Sequence, residues 1–285
     1  MFTISPRLSL LVRALCRLMQ RNVPSTPKIL VIGLAKSGTS IMMYRISGGL
    51  TDPAEFFEPG GFRGQMDVDF HRRVTSSAKP VVTKLVYHVR KPECFEEILP
   101  LYDKVVWIIR DPRDRLISNF FYRWFHPNAN EAAFQDALKM VRKKEASPGE
   151  VPFHSLTPML KNVRQCTSMY DPMIEIIERF KPIIYRFYYE DLIRGRWDGL
   201  ESWLGSSLST EAVVKGKAIR VSRSHTFENW RRWFCPEDVA IYRPWFSEYL
   251  EALGYSADDW ELTPVSTLPP EEGSEYMIRL FNRAH

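Results

Sequence analysis

Two short stretches gather side chains able to handle a phosphate-like anion. The first, Gly33-Leu-Ala-Lys-Ser-Gly-Thr-Ser40, sets two glycines, one lysine and three hydroxyls within eight residues. A glycine loop that follows a strand and opens into a helix turns successive backbone N–H groups, and the positive helix end, toward an anion. Ser37, Gly38, Thr39 and Ser40 supply the donors. The spacing departs from G-x-x-x-x-G-K-[ST], because Thr39 stands where a lysine would reach terminal phosphates beside a magnesium ion. The lysine is Lys36, on the loop itself. An ordinary strand-to-helix turn is the plain alternative. The second stretch, Arg110-Asp-Pro-Arg-Asp114, closes an apolar run, with Pro112 suited to a first helical position, Asp111 to its N-cap and Asp114 to its third position.

The elements that must position these stretches alternate. Lys28-Ile-Leu-Val-Ile-Gly33, Pro80 to Tyr87, Lys104 to Ile109 and Pro182 to Tyr188 are short, apolar and largely β-branched, as buried parallel strands are. Helical stretches are expected at Ser40 to Gly48, roughly Ala129 to Lys144, and Leu156 to Phe180, with a further helix start from Glu190. Strands alternating with helices predict an α/β fold in a single domain, with a central, mainly parallel sheet flanked by helices.

With its strand and helix contexts, the glycine loop resembles the 5′-phosphosulfate loop of sulfotransferases that use 3′-phosphoadenosine 5′-phosphosulfate (PAPS), typically written with Lys-Ser-Gly-Thr. Val105 to Tyr122 looks like the same family's 3′-phosphate motif, a strand ending in arginine with a serine eight residues on. Arg110 at the strand end and Ser118 two helical turns later would converge on one phosphate, the guanidinium providing a charge-assisted fork. Read without the family, Arg110 pairs with Asp111 or Asp114. Tyr189-Glu-Asp-Leu192 resembles the segment whose tyrosine meets adenine. Arg223-Ser-His-Thr-Phe-Glu-Asn-Trp-Arg231 keeps the spacing of the closing segment, but Ser224 and His225 replace its Lys-Gly. Ile41 stands where many members have a tryptophan. The resemblance implies a P-loop NTPase-like sulfotransferase domain over 27–285, preceded by a basic segment, 1–26.

What the resemblance implies is an in-line transfer of a sulfuryl group from PAPS to an acceptor hydroxyl, leaving 3′,5′-bisphosphoadenosine (PAP), with no metal required. Lys36 would stabilise charge on the departing bridging oxygen, and Lys84 would face the transferring sulfuryl. A general base is also needed. Cytosolic members use a histidine of a Lys-Thr-His segment; here Lys84-Leu-Val-Tyr-His88 moves His88 out by two, on the same strand face and about 7 Å further along. Carbohydrate-directed members use a glutamate in a Phe-Glu-Pro setting, and Phe56-Phe-Glu-Pro59 matches it. Glu58 is therefore the first candidate, His88 the second and Glu55 the third. The Glu58 setting favours a carbohydrate or glycolipid acceptor over other small molecules.

Bulk properties add limits. The formal net charge of +5 is mild and does not call for a nucleic acid. The four cysteines, Cys16, Cys94, Cys166 and Cys235, have no metal or disulfide spacing, which favours a reducing, cytoplasmic setting. No apolar run reaches the roughly 20 residues that cross a bilayer. From Met1 to Thr51 there is no acid, and Arg7, Arg13, Arg17 and Arg21 punctuate a leucine-rich segment, so peripheral membrane contact and simple packing on the body are both open. Two further readings compete: a small-molecule kinase, which would need a lysine at position 39, and a catalytically silent nucleotide-binding protein of the same fold.

Overall fold

The computed structural model describes residues 26–59, 67–87, 92–211 and 226–284. In chain order the principal elements are β1 (Lys28–Gly33), α1 (Thr39–Gly48), β2 (Ala54–Phe57), α2 (Val68–Thr75), β3 (Val81–Val86), α3 (Pro92–Ile98), β4 (Lys104–Ile109), α4 (Pro112–Tyr122) and α5 (Glu131–Ala146). There follow α6 (Pro158–Lys161), α7 (Val163–Thr167), α8 (Tyr170–Arg179), β5 (Ile184–Tyr188), α9 (Tyr189–Arg194), α10 (Asp198–Leu204), α11 (Trp230–Trp233), α12 (Pro236–Leu253) and α13 (Ser274–Ala284). The chain divides into two compact units, one of residues 1–109 and 175–214, the other of 110–174 and 215–285.

The first unit holds a five-stranded, all-parallel sheet in the order β2-β3-β1-β4-β5. The protein is thus α/β with a parallel sheet, as the alternation of elements predicts. β1 is central and buried along its whole length, which is why it is an apolar run after its first residue, Lys28. On one face Ile29, Val31, Val82, Val106, Ile108 and Phe187 pack with Met42, Met43 and Ile46 of α1. The opposite face carries Tyr87, Phe95 and Trp107, with ring centroids 4.8 and 5.4 Å from Tyr87. Gly33 ends β1 because a Cβ there would lie 2.6 Å from the Ile108 carbonyl oxygen of the next strand. From β1 the chain runs toward one sheet edge and from β4 toward the other, so the carboxyl ends of β1 and β4 mark the point where an open parallel sheet offers a crevice.

The second unit is helical and built on aromatic rings. Phe121 meets Trp233 at 5.2 Å and Tyr276 at 6.0 Å, Phe153 meets Phe120 at 5.5 Å, and Phe134 stacks on Phe281 at 3.9 Å. α4 starts as its sequence dictates: Pro112 is at N1 and the Asp111 carboxylate accepts from the Arg113 N–H at 2.8 Å.

One expectation is corrected. The helix expected from Leu156 to Phe180 is three helices, α6, α7 and α8, after a 3₁₀ turn over Phe153–Leu156. Asn162 leaves the helical region at ψ 74° and its side chain accepts from the Gln165 N–H at 3.1 Å, ending one helix while capping the next. β2 was not anticipated. Four residues paired on one side only, with alternating exposure, carry too weak an apolar signal to stand out. The basic segment at 1–26 falls, but for its last residue, outside the described residues. Among the described residues no helix is long and apolar enough to cross a membrane.

Candidate functional site

The Gly33–Ser40 loop leaves the carboxyl end of the central strand. It turns through a Ser37 N–H to Leu34 carbonyl bond of 3.2 Å and enters α1, whose first hydrogen bond runs from the Met42 N–H to the Gly38 carbonyl. Lys36 has φ 72° and Gly38 φ 90°, both left-handed. For Gly38 the conformation is inexpensive; for Lys36 it costs about 1–2 kcal/mol. Gly38 must also be small, since a Cβ would come within 2.8 Å of Cδ2 of Tyr189. The structure therefore brings Tyr189, the first residue of α9, against the loop. Ser37 and Thr39 are buried. No side chain among the described residues caps α1, and its first turn holds no acid. Among the described residues no acid of its own first turn and no side-chain cap answers the orphan N–H groups and the positive end of the helix dipole, which is the electrostatic state that suits a phosphate.

A second constellation lies at the same end of the sheet, two strands over. In the parallel register Phe57 of β2 stands beside Lys84 of β3, and Lys84 beside Val31 of β1. The next residue, Glu58, donates its backbone N–H to the Lys84 carbonyl at 2.9 Å. Its carboxylate accepts a short bond from the Lys84 ammonium. The ammonium is also 4.4 Å from the centre of the Phe57 ring. Lys84 is 3% exposed and Glu58 25%. Burial pushes the Lys84 ammonium below the ordinary lysine range, and the adjacent Glu58 offsets only part of that. Glu58 itself has φ 49°. Four non-glycine residues have positive φ among the described residues, Lys36, Asp52, Glu58 and Glu228. Two of these four are candidate catalytic residues, and backbone strain of this kind concentrates where a side chain must be aimed.

In the second unit Arg110 and Asp114 are both buried, with Nη2 and Oδ2 3.6 Å apart. This is the pairing expected when the arginine is read without a ligand. Ser118 is buried on α4. Asp114 also accepts from the Trp230 N–H at 3.1 Å. Two guanidinium groups lie over the Trp230 ring, Arg113 at 3.9 Å and Arg231 at 4.5 Å from its centre. Arg231 is held in turn by both oxygens of Asp259.

His88 and Arg223 lie outside the described residues. The sequence assigned Lys84 and Glu58 separate tasks; the structure joins them in one ion pair, and adds Phe57, which the sequence did not single out. The available signal was that Phe-Phe-Glu-Pro needs an extended segment beside β3 to bring its acid to Lys84. Among the described residues no group of three or more His, Cys, Asp or Glu could hold a metal ion. In comparisons with known proteins, no family model matches the chain and no curated protein matches it.

Proposed function

We propose that the protein is a sulfotransferase of P-loop NTPase-like fold that moves the sulfuryl group of PAPS to a hydroxyl of a carbohydrate or glycolipid. One observation carries the reading: the loop after the central strand is shaped for an anion, with an uncapped helix behind it and its lysine within the loop rather than at its end. A lysine there suits the departure of a phosphosulfate, in which the moving SO₃ carries less charge than a phosphoryl group and needs positioning more than a metal.

In this reading the amides of Gly38, Thr39 and Ser40 and the Ser37 and Thr39 hydroxyls hold the 5′-phosphate, and the Tyr189 ring borders the adenine. Arg110, Ser118 and Arg223 are assigned the 3′-phosphate on their sequence motifs. The acceptor oxygen forms a bond to sulfur as the bond between sulfur and the bridging 5′-oxygen breaks. Lys36 stabilises the charge left on that oxygen, and Glu58 takes the acceptor's proton. Lys84 holds the Glu58 carboxylate in place until the acceptor arrives.

Calorimetric titration with PAP and with ATP tests the donor. PAP is expected to bind at least tenfold more tightly, about 1.4 kcal/mol. Equal or tighter binding of ATP would overturn the reading in favour of a kinase. Transfer from labelled PAPS to a carbohydrate panel tests the chemistry, and PAP binding without any transfer would make the protein a silent binder.

A further inference from the structure

Phe57 is one of two large apolar side chains that are more than two-fifths exposed among the described residues, at 44%. It lies on an edge strand, where alternation sends Ala54 and Phe56 to one face and Glu55 and Phe57 to the other. Phe56 is used in packing, edge-on to Phe70 at 5.4 Å. Phe57 meets the Lys84 ammonium. Glu55, exposed on the same face, stands about 7 Å back along the strand. Glu58 follows directly, with its carboxylate on Lys84. The strip thus offers an apolar ring bracketed by two carboxylates, Glu58 paired with its ammonium and Glu55 with no cation partner among the described residues.

We infer that this strip is the acceptor subsite and that it takes an uncharged pyranose ring. A pyranose has an apolar C–H face, which suits an aromatic ring, and an edge of hydroxyl donors, which suits carboxylate acceptors. With the C–H face on Phe57, one hydroxyl reaches Glu55 and the reacting hydroxyl lies at Glu58. A long-chain or aromatic alcohol could use Phe57 but would leave Glu55 without a donor. An anionic sugar would meet the unneutralised Glu55 charge. The inference rests on the proposed function for the role of Glu58.

Saturation-transfer NMR on the full chain with PAP added, using methyl β-glucopyranoside and methyl β-galactopyranoside, tests it. Saturation is expected at the ring C–H protons of one face. Phe57→Ala should weaken binding about tenfold and Phe57→Trp should restore it. Glu55→Gln should weaken binding by a smaller factor. No saturation from either pyranoside, or equal saturation with Phe57→Ala, would overturn the subsite. Calorimetric titration of PAP separates the two proposals: PAP affinity without pyranoside contact removes the acceptor strip alone, and pyranoside contact without PAP affinity removes the donor reading alone.

Discussion

Glu58 in the first unit and Asp238 in the second are both acids held by the chain around them, and they are held in opposite ways. Asp238 is fully buried at the third position of α12. Its carboxylate accepts from the backbone N–H groups of Phe153, His154 and Cys235 at 2.8, 2.8 and 2.9 Å and faces His154 Nδ1 at 2.8 Å. A carboxylate offers about four lone-pair sites, and four partners fill them. Such a group ties a loop to a helix and has no capacity left. Glu58 has one side-chain partner among the described residues, sits on a strained backbone and keeps a quarter of its side chain in solvent. Saturated acceptors build structure; an unsaturated, strained one is available for chemistry.

The largest effect should come from breaking the saturated site. Asp238→Ala leaves three backbone N–H groups buried without an acceptor, a loss of about 3–5 kcal/mol that urea unfolding followed by tryptophan fluorescence would register. A loss under 1 kcal/mol would erase the contrast drawn with Glu58. The complementary test is Lys36→Gly. Glycine accepts φ 72° without strain, so stability should stay within about 1 kcal/mol of the parent. On the proposed function, transfer from PAPS should fall by about 10²–10³ as the charge at the departing oxygen is lost. If Lys36→Gly instead unfolds the protein as Asp238→Ala does, the lysine is a structural residue.

Legibility in the sequence followed the same division. β1, β3 and β4 could be read from their apolar runs because strands buried on both faces leave little room for a polar residue, and β5, at a sheet edge and only partly buried, from its apolar and aromatic residues. Lys84 is an exception in mid-strand, a buried lysine that is tolerated because Glu58 answers its charge. The loop and its start into α1 were legible because glycine spacing is a backbone requirement. The Glu58 to Lys84 bond was not, because it depends on β2, whose four residues leave little pattern, and on a parallel register that only the assembled sheet sets. The positive φ of Glu58 was equally hidden, since nothing in Phe-Glu-Pro requires it. In the second unit the break at Asn162 was missed because an asparagine that ends one helix while capping the next resembles a polar surface residue in a long one.

Two histidines are buried among the described residues, and one of them brings pH into the comparison. His154 has an acid at each ring nitrogen, Asp238 at 2.8 Å and Glu237 at 3.3 Å. His71 is the buried residue of α2 in the first unit, with Nδ1 2.7 Å from the Tyr102 hydroxyl and Nε2 buried without a hydrogen-bond partner among the described residues. Burial lowers the His71 pKa from 6.5 to about 4, and the nearby Asp67 counters only part of this. As pH falls, the unfolded chain therefore takes up this proton before the folded one does. The stabilisation from neutral His71 is complete above about pH 6.5 and is lost as the pH falls through about 4, on the order of 3 kcal/mol in all. His71→Gln removes the titration while keeping a polar group for Tyr102, so the fall in denaturant midpoint between these pH values should flatten. An unchanged slope would mean that the acid sensitivity arises elsewhere and that burial of the His71 imidazole does not set it.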